Sequence, residues 1–340
     1  MTEQPDMKDI ALRFLRQYKD RVVSRFRQNS DDHRFSQIIN SNHFAGQICG
    51  LSQDLCLRYE NDEWQSRVFE VIDVDLIYDN VDALGGDEMS YTDNLVKELL
   101  RYFKQDFFKW CNKPDCETCQ SSEGQNNVGT EGPNPDESLF RCGVVEIYKC
   151  NNCGTTTRFP RYNDPVKLLE TRTGRCGEWC NLFMLFLKSF GIESRYIWNR
   201  EDHVWCEIYS NKLNRWVHVD SCEQSFDQPY IYSKNWNKKM SYVFALGKDG
   251  VSDVSKRYIL QNDLPRDQMS EDDLDLVMKT LTKKLRSHLN DDQIYQLSCR
   301  DEREQLEWLD PKLSSTTQTS RVGRESGSVE WKKLRGEDGV

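Results

Sequence analysis

Cys176 stands in the run Gly174-Arg175-Cys176-Gly177-Glu178-Trp179-Cys180, which passes directly into the apolar stretch Leu182 to Leu187. The pattern predicts a cysteine in the first turn of a buried helix. The N–H groups at a helix start have no partner within the helix and favour an anion, so a thiol placed there is biased toward thiolate. A thiolate is the strong nucleophile of covalent hydrolysis. Downstream, in order, come His203 and Asp220, each in a strand-like segment. Cysteine on a helix, then histidine and aspartate on neighbouring strands, is the arrangement a nucleophilic cysteine hydrolase needs.

His218 is a second candidate base, and alternation puts Trp216, His218 and Asp220 on one strand face. Residues two apart on a strand point the same way and do not readily meet head to head. A base and a carboxylate on adjacent strands can meet across the ladder. This favours His203 with Asp220 and leaves His218 to packing or substrate contact. Cys180 lies one helical turn beyond Cys176, where the terminal field has weakened. Gly174 and Gly177 flank Cys176 and are expected to open the backbone to substrate, with the Cys176 N–H available to an oxyanion. Trp205, Trp216 and Trp236 are candidates for sugar stacking or pocket walls, with core packing as the alternative. Arg195 and Glu207 are expected to pair across strands. Glu223 is a carboxylate placed to bind hydroxyl groups.

Cys116-x-x-Cys119 and Cys150-x-x-Cys153 are two knuckles whose sulfurs can face one ion. With four thiolates the shell is closed, so a structural Zn2+ is expected and metal catalysis is not. Cys111 and Cys142 rank lower as ligands.

The 340 residues are 37% hydrophobic and carry a formal net charge of −10. That length supports a real core, and the acidic balance argues against a nucleic-acid partner. No stretch reaches the ~18 apolar residues of a membrane span, and no secretory signal is read at the N-terminus. Thirteen cysteines, four of them in metal-type pairs, point to a reducing compartment, cytoplasm or nucleus.

Positioning these groups requires a set of elements. Met7 to Gln28 has helical spacing, with a basic face that is either solvated or a dock for an acidic partner. Val68 to Ile77 reads as strand, Asp93 to Trp110 as helix, and Ser121 to Ser138 as a mobile loop. Ile192 to Trp198, His203 to Tyr209, Arg215 to Ser221 and Tyr242 to Leu246 read as strands, the last ended by Gly247 to Gly250. Helices are expected from a Ser270 cap to about Leu289 and from Asp291 to Leu309. The domain reading is an N-terminal amphipathic helix over 1–30, a catalytic core over 31–310 with a zinc subdomain at about 105–160, and a disordered tail over 311–340.

Arg175 to Asn181, Asp202 to Glu207 and Trp216 to Glu223, with Cys150 to Gly154 and Arg158 to Tyr162, closely resemble the cytoplasmic peptide:N-glycanase family in its fungal form. The resemblance covers roughly residues 100 to 305 and looks like the yeast type, without the extra terminal domains of animal forms. It implies an α+β, transglutaminase-like core of the papain-type superfamily, a helix packed on antiparallel sheet, with the zinc subdomain inserted and helices flanking it. It implies a triad of Cys176, His203 and Asp220, a zinc at Cys116, Cys119, Cys150 and Cys153, and substrate contact by Glu223. The implied activity is deglycosylation of misfolded N-glycoproteins, converting Asn to Asp, in ER-associated degradation. By analogy with yeast members, the terminal helices dock a ubiquitin-receptor proteasome shuttle protein. A papain-like protease or deubiquitinase shares the triad but not the knuckles and tryptophan-rich strands. A non-catalytic module is disfavoured by the presence of all three reactive residues.

Overall fold

The computed structural model describes residues 7–28 and 31–308. Six helices lead the chain: α1 (Met7–Arg27), α2 (Asp32–Ser41), α3 (His43–Leu55), α4 (Asp62–Phe69), α5 (Val74–Leu84) and α6 (Glu88–Tyr102). Then come β1 (Lys109–Trp110), β2 (Gln125–Glu131), α7 (Pro135–Leu139), β3 (Val145–Cys150), β4 (Thr156–Pro160), α8 (Pro165–Thr171), β5 (Thr173–Gly174) and α9 (Cys176–Ser189). Strands β6 (Ser194–Asn199), β7 (His203–Ser210), β8 (Arg215–Asp220), β9 (Ser225–Phe226), β10 (Val243–Gly247) and β11 (Gly250–Asp253) precede α10 (Ser255–Tyr258), α11 (Glu271–Leu285) and α12 (Asp291–Glu307).

The central sheet is antiparallel throughout, in the order β11-β10-β6-β7-β8-β9. Helix α9 is apolar nearly all round and is therefore buried. Its Phe183, Leu185 and Phe186 share a core with Cys206, Ile208, Val217 and Val219 of the sheet. Burial of each such large side chain is worth about 1.5–3 kcal/mol, so this packing fixes where the helix start sits. Trp205 belongs to a second cluster, with Ile197, Tyr232, Val243, Ala245 and Tyr258. A separate antiparallel sheet, β2-β3-β4, carries the second cysteine knuckle. Together these form an α+β architecture of helices packed on antiparallel sheet, with a four-cysteine cluster and flanking helices.

Several expectations are corrected. Val68 to Ile77 is not a strand. Asn61 caps α4 and Asp73 caps α5 through their side chains, and Val68 and Ile77 are fully buried on helices. Here tertiary burial outweighs the strand preference of β-branched residues. The expected helix from Asp93 starts earlier, capped by Asp87, and ends at Tyr102 in a wide π-turn over Phe103–Phe107. Lys109 and Trp110 instead pair in parallel with Thr173 and Gly174, tethering the chain beside Cys176. Ser121 to Ser138 is not a structureless loop: it holds β2 and α7. Order there comes from ladder hydrogen bonds to β3, the buried Gln125–Thr157 contact at 3.0 Å and a capping box between Asn134 and Glu137, not from apolar burial. Gly247 to Gly250 does end β10, as expected, and turns the chain into an unexpected strand, β11.

The first helix forms as expected but buries only Val22 and Val23. Its basic residues are not simply solvated. Lys19 pairs with Asp292, Arg27 with Asp291 at 2.6 Å, and Tyr18 donates to Glu302, so α1 lies along acidic α12. Ile10, Phe14, Leu15 and Tyr18 stay exposed. The expected tail over 311–340 lies outside the described residues. Among those described, no helix is long and apolar enough to cross a membrane.

Candidate functional site

Cys176 is the first residue of α9 and is only 5% exposed. The Glu178 carboxylate folds back to accept from the Arg175 N–H at 3.0 Å, which caps the helix start. That cap explains Gly174. A Cβ there would lie 2.4 Å from the Glu178 Cβ, so this glycine makes room for the cap, not for substrate as its position had suggested. Nothing lies within 4 Å of where a Gly177 Cβ would be, and that side stays open.

The side chain of Arg175 ties this turn to the cysteine-knuckle sheet. Its guanidinium reaches Glu146 of β3 at 2.6 and 2.7 Å, Tyr148 at 3.0 Å and the Cys111 carbonyl at 3.0 Å. Arg161 bridges Glu146 and Glu178. Burial opposes the Glu146 charge, but Arg175 and then Arg161 outweigh it and hold the carboxyl at about 2. This network had no signal in the sequence.

His203 opens β7, and its Nε2 lies 3.1 Å from Oδ2 of Asp220 at the end of β8. The Cys176 side chain lies close enough to act on the same ring. The structure thus brings His203 and Asp220 into direct contact, with Cys176 near enough to influence the imidazole. Burial disfavours the His203 charge, but Asp220 and then Cys176 outweigh it and lift the imidazole to about 10. Burial likewise opposes the Asp220 charge, and His203, His218 and Tyr232 overcome it, holding the carboxyl at about 2. Ring centroids of Tyr232, Trp236 and Trp205 lie 5.0, 5.3 and 5.6 Å from that of His203, so the imidazole sits in a largely dry aromatic collar.

His218 is 1% exposed and touches Tyr232, not open space. Burial pushes it down to about 4. Glu223 is half-buried, and its backbone N–H lies 3.3 Å from Asp220 Oδ1, so its residue adjoins Asp220. Arg195 and Glu207 pair at 2.6 Å, as their ladder register requires. Arg195 stacks on Trp216 at 4.1 Å, so Trp216 has a structural occupant. Tyr232 was missed in the sequence because it lies in a short π-helical turn, Ile231–Asn235, between β9 and β10, which carries no strand or helix periodicity.

The sulfurs of Cys116, Cys119, Cys150 and Cys153 lie within 4.8 Å of one another. Cys116 and Cys153 are 3.5 Å apart, and Cys119 and Cys150 3.8 Å. A tetrahedron of thiolates at ~2.3 Å from an ion has edges of about 3.8 Å, so the cluster fits one soft metal ion. Cys111 instead packs against Tyr148 and Phe159, and the Cys142 thiol meets the Val144 carbonyl, so neither joins the cluster.

Residues 129–221 match a family model described as the transglutaminase-like superfamily, and 198–309 one described as the Rad4 transglutaminase-like domain. The chain is similar to the peptide-N(4)-(N-acetyl-beta-glucosaminyl)asparagine amidase of Saccharomyces cerevisiae, 61% identical, covering 98% of this chain and 97% of that protein. The amidase of the same name from Kluyveromyces lactis is 56% identical over 99% of both chains. Among solved structures, Rad4-Rad23 crosslinked to an undamaged DNA aligns with a TM-score of 0.47 at 16% identity, over 81% of this chain and 60% of that one.

Proposed function

The chain belongs to the peptide-N(4)-(N-acetyl-beta-glucosaminyl)asparagine amidase family, and from that premise we propose that it hydrolyses the glycosylated asparagine amide through Cys176, His203 and Asp220. The observation that carries this reading is the buried His203–Asp220 contact at 3.1 Å, with the Cys176 thiol at the start of α9 acting on the same imidazole.

In this reading the Cys176 thiolate adds to the side-chain amide carbon of the glycosylated asparagine. His203, protonated, gives its proton to the departing glycosylamine nitrogen as the C–N bond breaks, leaving a thioester. Water then attacks the thioester carbonyl and passes a proton to His203. The sulfur leaves as thiolate and the peptide keeps an aspartate. Asp220 holds the imidazole orientation and stabilises its charge. The Cys176 N–H, at the open Gly177 side, is placed to donate to the oxyanion. Glu223, beside Asp220, binds substrate hydroxyls. The freed 1-amino sugar loses ammonia unaided.

The substrates are misfolded N-glycoproteins in ER-associated degradation, since a folded glycoprotein rarely offers its linkage to a buried thiol. Zn2+ at the four cysteines supplies no step and holds the knuckle sheet that grips Arg175. No disulfide joins any of the thirteen cysteines, which suits a reducing cytoplasm or nucleus. The exposed apolar stripe of α1, beside acidic α12, is where a ubiquitin-receptor shuttle protein docks.

Incubation with a denatured glycopeptide and, separately, with ubiquitin chains tests the reading against a protease. Release of glycan with ubiquitin chains intact supports it. Peptide-bond cleavage with the glycan retained overturns it.

A further inference from the structure

Asp220 is held from three directions besides His203. Its Oδ1 accepts the backbone N–H of Cys222 at 2.8 Å and of Glu223 at 3.3 Å. Its Oδ2, the oxygen that meets His203, also accepts the Tyr232 hydroxyl at 2.7 Å. That hydroxyl lies 2.7 Å from His218 Nε2. The tautomer of His218 follows from its other nitrogen, because Nδ1 accepts the Gln228 backbone N–H at 3.3 Å and so carries no proton. The proton is therefore on Nε2, which donates to the Tyr232 oxygen. This forces the tyrosine O–H to donate onward to Asp220.

We propose that Tyr232 and His218 form a positioning arm that locks the rotation of the Asp220 carboxylate and tempers its negative charge, thereby setting the acidity of His203. The proposal deepens the amidase reading and rests on it for the roles of His203 and Asp220. The hydrogen-bond path from both residues to His203 runs through Asp220, while the Tyr232 ring also packs edge-on against the imidazole. Tyr232 and His218 are 0% and 1% exposed, so neither is a substrate contact. The groups facing Tyr232 are Asp220, Tyr258, Glu223, His218 and the His203 ring, and those facing His218 are Asp220, Glu207, Asp227, Tyr232 and His203. Every carboxylate among them would resist a second anion, so the tyrosine stays a neutral donor.

A donated O–H withdraws charge from the oxygen that stabilises the imidazolium. Without it, Asp220 becomes a stronger anion partner and His203 holds its proton to higher pH. The carboxylate also gains freedom to turn, and a hydrogen bond to a charged group is lost, which corresponds to roughly a tenfold or larger loss when it acts in the chemical step.

The test uses the full-length chain and measures iodoacetamide alkylation of the Cys176 peptide by mass spectrometry across pH, together with kcat and KM on a denatured glycopeptide. Tyr232→Phe is expected to move the alkaline inflection of alkylation upward by several tenths of a pH unit, and to lower kcat with KM little changed. His218→Leu, which leaves the tyrosine proton undirected, should shift the inflection the same way. His218→Gln, which keeps a side-chain N–H donor, should rescue most of that change. An unmoved inflection in Tyr232→Phe and His218→Leu, or no rescue by His218→Gln, overturns the proposal. If Tyr232→Phe does not fold, the two His218 variants decide. Alkylation needs no glycan, so it reads the arm even if glycopeptide proves not to be the substrate.

Discussion

Arg175 holds Glu146 through two contacts of 2.6 and 2.7 Å, joining the residue before Cys176 to the strand that ends in Cys150. The side chains are 6% and 13% exposed, so this is a largely buried pair. A buried pair is weak evidence of net stability, but removing one partner strands the other charge. Here the stranded charges would be Arg175 and Arg161.

Glu146→Gln is therefore expected to cost about 3 kcal/mol in urea unfolding, and to lower kcat by loosening the first turn of α9. Unchanged stability and unchanged kcat would show that the knuckle sheet does not support the nucleophile's turn.

Loss of the metal should act along the same line. Cys119→Ser, or incubation with a strong chelator, is expected to lower the melting temperature and activity together. One metal ion per chain, read by elemental mass spectrometry, and sulfur-to-metal charge-transfer bands on Co2+ substitution would identify the thiolate shell. A stoichiometry near zero in active protein would contradict it.

Stability should depend on pH in two opposed ways. The His203 pKa is about 10, against about 6.5 in an unfolded chain, so its contribution is complete below 6.5 and is lost as pH rises toward 10. His218 is depressed to about 4 and stays neutral when folded, so stability falls as pH drops from 6.5 to 4. Asp220 adds stability above about 3.9 that is lost only as pH falls toward 2. Urea melts at pH 5, 6.5 and 9 should therefore peak near the middle value for these groups. His218→Gln should flatten the acid side alone, and activity should fail on the alkaline limb near 10.

The apolar stripe of α1 offers a separate test. Phe14 is 65% exposed, so Phe14→Glu should leave folding and glycopeptide turnover within about 0.5 kcal/mol and about twofold of the parent. It should abolish capture of a ubiquitin-receptor shuttle protein. Retained capture would place that partner elsewhere.

The sequence made the reactive segments legible because they coincide with strong local patterns. Cys176 precedes six apolar residues, and His203 and Asp220 sit on strands whose alternation is clear. The two knuckles were legible by spacing alone. What stayed hidden depends on contacts remote in sequence. Tyr232 reaches Asp220 from a single π-helical turn, and Glu146 reaches Arg175 across 29 residues. Strand β2 carries little apolar surface, so composition suggested a loop where the ladder with β3 imposes a strand. Val68 and Ile77 misled because burial on short capped helices outweighed their β-branched preference.

The central claim is hydrolysis of the glycosylated asparagine through Cys176. A denatured N-glycopeptide treated in 18O water and read by mass spectrometry tests it most directly. The account expects aspartate at the former attachment residue carrying one 18O with the parent enzyme, and no conversion with Cys176→Ala. Asparagine left at that position, or full conversion by Cys176→Ala, would contradict it.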